Sequence, residues 1–139
     1  MNEPNRRRNA EAELERAETC LREARHLEEA ELPYGAASRA YYAVFHAARA
    51  LLFSVGLEPT SHRGVTNLLG EHFVRPGRLD PELARLVSRM HADRHDADYF
   101  VQAVFTTAEG ARALTDAERF LDAVRRLLGF DGAASGDRV

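Results

Sequence analysis

The chain is poor in the residues that build covalent or cofactor chemistry. It has one cysteine in 139 residues, which excludes a disulfide framework and any Cys ligand pair. Cys20 falls in the apolar register of the first expected helix, the place of a small buried residue rather than a nucleophile. No Gly-rich phosphate loop, G-x-S-x-G elbow or dinucleotide fingerprint occurs. Charge excess is also missing: the formal net charge is -3, so a broadly basic duplex-binding surface is excluded and any nucleic-acid contact must be local. Long apolar runs are absent, and the polar start M-N-E-P-N-R-R-R is followed by none. Neither a signal peptide nor a membrane span is therefore expected, and the lone cysteine fits a cytoplasmic protein.

Helix breakers are scarce as well. The proline and glycine residues gather near 33–35, 56–64, 76–81 and the C-terminal tail, leaving four long segments without them. The spacing predicts a first helix over 5–29, with Leu14, Ala17, Leu21 and Ala24 inward. A second follows over 36–55, burying Ala37, Ala40, Tyr41, Val44, Ala48, Leu51, Leu52 and Val55, with Gly56 as its left-handed cap. A short amphipathic piece over 65–74 turns Leu68, Leu69 and Phe73 inward. Asp80-Pro81 starts a helix that runs to residue 99, and Thr106-x-x-Glu109 fits a capping box for a last helix closed by Gly129. The fold class read from this layout is all-α, an antiparallel up-down four-helix bundle with an additional short helix. It occupies one domain over 1–130, followed by a tail over 131–139 expected to be disordered. No self-similarity at a period of about 34 residues supports a tetratricopeptide solenoid, although 34–59 alone has that texture.

Chemistry-bearing residues concentrate in two helices. Arg39, Tyr42, His46 and Arg49 recur at three- and four-residue steps on a face beside the apolar stripe. Arg39 and His46 leave the same face about 10 Å apart along the axis, and metal-independent RNA cleavage needs a base for the ribose 2′-OH and a cation for the phosphorane. The competing reading makes His46 a hydrogen-bonded bundle residue, with the arginines solvated or paired to Glu side chains. In R-M-H-A-D-R-H-D-A-D-Y, Arg94 and Asp98 stand one turn apart and can form an ion pair. His91, His95 and Asp98 have a spacing compatible with a divalent metal, against a charged, solvated helix end. Arg89 and His95, formally R-x5-H, project on different faces. Ser61-His62-Arg63-Gly64 offers a cap and an exposed cation at a helix start.

These blocks carry a resemblance. S-R-A-Y-Y-A-V-F-H-A-A-R-A-L-L-F-S-V-G-L, then S-H-R-G-V, F-V-R-P-G-R-L and R-H-D-A-D-Y, in this order over residues 14–128, resemble the HEPN domain family, specifically its UPF0332-like branch. The resemblance implies a helical bundle that dimerises, often encoded beside a small nucleotidyltransferase in toxin–antitoxin pairs. Active members of the family are metal-independent ribonucleases that use an R-x4-6-H motif, two copies facing each other across the dimer cleft. Here Arg94 matches the motif's arginine but is followed by His-Asp-Ala-Asp-Tyr, so Asp98 and Tyr99 stand near the expected histidine.

The expectation taken forward is a homodimeric HEPN-type component of a toxin–antitoxin-like module, with a nucleotidyltransferase-type antitoxin partner and RNA or nucleotide as ligand. As an endoribonuclease it would use His46 as acid/base, Arg39 and Arg94 as phosphate clamps and Tyr99 as a positioning hydroxyl. Arg49, Tyr42, Arg63, His95 and Asp98 would bind RNA or phosphate, with no metal and no cofactor. The rival is a non-catalytic module that binds the nucleotidyltransferase partner or a nucleotide through its helical faces. A lone tetratricopeptide-like adaptor is the third reading.

Overall fold

Alanine decides which helix becomes the axis of the bundle. In α2 (Pro33–Ser54), seven alanines and five larger apolar residues are buried, so side chains around almost its whole circumference are small or apolar. A helix of that kind must be surrounded. In the computed structural model, which describes residues 2–99 and 105–129, α2 is packed by α1 (Glu3–Glu29), α3 (His62–Leu69), α4 (Pro81–Tyr99) and α5 (Thr107–Leu128). A π-helical turn, Gly70–Val74, continues α3. Among the described residues there is no strand, and α1 and α4 do not touch each other. The chain is thus the expected all-α bundle of long helices with a short extra one.

Local chemistry sets the boundaries. The Asn2 side chain accepts from the Asn5 backbone N–H at 3.0 Å to start α1, and Asp80 accepts from Glu82 N–H at 2.9 Å ahead of Pro81. Thr106 and Glu109 form the reciprocal capping box of α5. Gly56 and Gly129, at φ 87° and 75°, take the left-handed conformation after α2 and α5. The core joins Leu21, Val44, Leu51, Leu52, Val65, Leu69, Phe73, Val87, Phe120, Leu121 and Val124, all essentially without solvent exposure.

Three expectations are corrected. Val55, placed in the buried stripe of α2, is 40% exposed because the helix has ended at Ser54. The 65–74 piece is not one α-helix but an α-helical and a π-helical part. Phe53 and Phe73, counted among aromatics that one chain would struggle to bury, are buried within it, and Phe105 stacks on Tyr34 at 5.5 Å. Of that group Tyr99 alone is seen strongly exposed, at 70%. Phe100 and the tail over 131–139 lie outside the described residues. Among those described, no helix is long and apolar enough to cross a membrane.

Candidate functional site

Along α2, the polar stripe divides between two neighbours. Three of its cations meet carboxylates of α1: Arg39 donates to Glu23 at 3.5 Å, His46 Nδ1 lies 2.9 Å from Glu13 Oε1, and Arg49 lies 3.4 Å from the same oxygen. The Glu13 side chain is only 17% exposed, so this node is largely shielded from water and stronger than a surface pair. Arg49 also donates to the Pro59 carbonyl at 3.1 Å and lies over the Phe53 ring. His46 and Arg49 therefore bind α2 to α1 and to the segment that leads into α3, the arrangement of the bland reading.

Tyr42 belongs to the other side. The guanidinium carbons of both Arg39 and Arg94 lie 4.9 Å from its ring centroid, so one phenol face system carries cations from two helices. Arg94 also lies 6.0 Å from the Tyr41 ring and pairs with Asp98 at 3.3 Å. Its Nε is buried without a hydrogen-bond partner. A guanidinium held over aromatic faces, with an N–H unsatisfied and a half-exposed carboxylate as its one ionic partner, is a cation poised for an incoming anion. Arg39 and Arg94, expected to act together, are thus brought to one ring, whereas His46 is engaged by α1.

Behind Arg94 stands a stack that sequence reasoning did not assemble. His62, on the first turn of α3, and His91, on α4, lie face to face with centroids 3.8 Å apart and planes 15° apart. The Tyr41 hydroxyl is 3.2 Å from His62 Nδ1, and its ring is 5.4 Å from that of His91. Tyr41 was read as a core residue, and it is buried, but its hydroxyl serves the stack. Burial, and next the neighbouring Tyr42, push its pKa up to about 12. Burial also lowers the pKa of His62, helped by His91. His91 is lowered by burial, then by Arg94 and His95. Both imidazoles are therefore neutral at neutral pH, one able to accept a proton beside a fixed cation.

The remaining sequence candidates are spread out. His95 sits 4.8 Å from the Tyr99 ring, at the exposed end of α4. Because His91 turns into the stack, the His91, His95 and Asp98 trio does not gather, and among the described residues no group of three or more His, Cys, Asp or Glu side chains is arranged to hold a metal. Ser61 accepts from Gly64 N–H at 3.0 Å as the cap of α3, with Arg63 exposed beside it. Arg89 pairs with the buried Asp116 of α5, so it faces away from the Arg94 cluster, as its register required.

Comparison with known proteins agrees with this architecture. A family model described as HEPN domain matches residues 10–127. A Methanocaldococcus jannaschii protein named "Putative toxin MJ0605" is 35% identical over 122 residues, 88% of this chain and 90% of the relative. A Thermotoga maritima protein named UPF0332 protein is 34% identical over 113 residues, 81% of this chain and 86% of the relative.

Proposed function

Because the chain belongs to the HEPN domain family, we propose that it is the helical component of a toxin–antitoxin-like module and a metal-independent endoribonuclease. The toxin name carried by the archaeal relative supports the first half. The Arg94 geometry supports the second: a desolvated guanidinium over two tyrosine rings, with an unsatisfied N–H and only Asp98 to displace. Arg94 clamps the scissile phosphate and stabilises the phosphorane charge, and Arg39 adds a second cation across Tyr42. Tyr99 and His95, at the exposed end of α4, position the strand, and Arg63 supplies a phosphate contact at the start of α3. Asp98 holds Arg94 until RNA arrives. We assign His46 and Arg49 to fastening α1 and α2 through Glu13, not to the reaction. The working unit is a homodimer whose cleft includes the exposed Tyr99, and its antitoxin is of the nucleotidyltransferase type.

The test is cleavage of single-stranded RNA in the presence of EDTA. Arg94→Ala is expected to lower the rate roughly 10²–10³-fold with an unchanged far-UV spectrum. Full activity in that variant would sink the reading.

One observation favours a second reading, a non-catalytic module that binds the nucleotidyltransferase. An open groove lined by Leu27, Tyr34, Gly35, Arg39 and Asp98 runs between α1, α2 and the end of α4, and Leu32 beside it is 53% exposed. A wild-type protein that cleaves no RNA yet forms a stable complex with a nucleotidyltransferase would establish that role.

A further inference from the structure

Three observations converge on the stack behind Arg94. His91 stands three residues before Arg94 on α4, so their side chains leave neighbouring parts of one helix face. Neither ring nitrogen of His91 meets a hydrogen-bond partner among the described residues, whereas its ring is fixed by His62 and Tyr41. His62 is oriented in turn by the Tyr41 hydroxyl. Stacked, near-parallel rings do not converge their lone pairs on one point, so the pair is built for proton handling rather than for shared metal ligation.

Resting on the ribonuclease reading above, we propose that His91 is the proton acceptor of the cleavage reaction, with His62 and Tyr41 as the residues that position it. The expected histidine after Arg94 is absent because the imidazole comes from one turn before it. In the step, the ribose 2′-O–H bond breaks and its proton passes to a ring nitrogen of His91. The 2′-oxygen forms a bond to phosphorus, and the bond from phosphorus to the 5′-oxygen breaks. That leaving oxygen takes a proton from water, and the resulting hydroxide recovers the proton held by His91. The products are a 2′,3′-cyclic phosphate and a 5′-hydroxyl, with no net consumption of acid, base or oxidant. Arg94 faces the phosphorane charge throughout.

The groups around His91 fix the direction of its pH dependence. From α2 it meets Tyr41, which stays protonated; from α3, His62; and on its own helix, Arg94 and His95. None is an anion, so nothing holds a proton on the imidazole, and the base is in its working form down to a pH below the ordinary histidine value of about 6.5.

The experiment measures single-turnover cleavage of a short single-stranded RNA in EDTA between pH 4.5 and 8, in wild type, His91→Ala, His62→Gln and Arg94→Ala. Product ends are identified by mass. The wild type is expected to give the cyclic phosphate, with a rate that falls at acidic pH about a midpoint below 6.5. His91→Ala should lose roughly 10²–10⁴-fold and lose that acidic limb, and free imidazole in solution should restore part of the rate. His62→Gln should keep activity but move the midpoint, as a positioning residue does. If the wild type cleaves, Arg94→Ala does not, and His91→Ala stays within a few-fold with the same acidic limb, the inference is overturned and the ribonuclease reading stands. A wild type that cleaves no RNA removes both.

Discussion

His62 and His91 lie face to face at 3.8 Å, although one opens α3 and the other sits in the middle of α4. Two imidazoles that close cannot both carry a proton without direct repulsion, and burial already disfavours the charged form of each. The contact is therefore both a fastening between helices and a proton-sensitive one.

Acidification should loosen this fastening in a defined window. The folded-state pKa of both residues lies below the unfolded value of about 6.5, so between those values the unfolded chain binds more protons. Stability contributed here is complete above pH 6.5 and is lost as pH falls through that value toward the folded pKa values. Urea midpoints measured at intervals between pH 7.5 and 5 are expected to decline, and a His62→Phe, His91→Phe double variant should decline less. Equal slopes for the two proteins would contradict this account.

Asp98→Asn should strengthen RNA binding, since it removes the carboxylate that competes with phosphate for Arg94. A half-exposed ion pair is worth at most about 1 kcal/mol, so the gain is about two- to five-fold. Arg94→Ala should weaken binding and reduce the slope of log K against log salt by about 0.7. Fluorescence anisotropy with a non-cleavable 2′-deoxy strand reads both, and an unchanged salt slope in Arg94→Ala would mean that the guanidinium does not touch phosphate.

Glu13→Ala should destabilise the bundle by about 1–3 kcal/mol, because His46 and Arg49 lose their shared, largely shielded acceptor. His46→Ala should cost less, and the cleavage rate per folded molecule should stay within a few-fold in both. A loss of rate as large as that of Arg94→Ala would return His46 to the reaction.

Gly110→Ala should lower the melting temperature without altering Arg94. A Cβ at this position would lie 3.1 Å from the Pro33 Cα, and backbone cannot step aside as a flexible side chain does. Overpacking of this kind typically costs about 1–3 kcal/mol. Calorimetry checks it, and a variant as stable as wild type would show that α5 can shift freely against the start of α2.

Cys20 should resist thiol reagents in the native protein. Burial raises its pKa and shields it, and the field of Arg39 opposes this only in part. Reaction with an aromatic disulfide reagent is expected to track unfolding in urea; rapid modification of the folded protein would argue otherwise.

Periodicity made the helices legible because each has a distinct apolar stripe, and Asn2, Asp80 and Thr106 are caps whose chemistry is local. The Arg94–Asp98 pair was legible for the same reason, being a contact within one turn. What could not be read were contacts fixed by how helices cross. Glu13 and His46 are on different helices, as are His62 and His91, and no spacing within either segment announces the partner. Tyr41 shows the limit well: its register placed it in the core, where it is, but gave no hint that its hydroxyl meets His62. The π-helical turn escaped too, because so short a stretch barely distinguishes a row stepped by four in one helical pitch from the same row in another.

That turn has a consequence for how the chain tolerates changes in length. Val65, Leu69 and Phe73 follow one another at steps of four, and in uniform α-helix such a row drifts by about 40° at each step. The wider winding of Gly70–Val74 turns the row back, and all three side chains end fully buried. In effect the segment holds one residue more than an α-helical turn requires. A single deletion at Glu71 would let the helix revert to ordinary winding and would rotate the phase of everything after it. Arg75 to Asp80 is the short path into α4, the helix that carries His91 and Arg94. One exposed residue far from any reacting group thus sets the angular setting of the site, and losing it would misalign the base and the cation together.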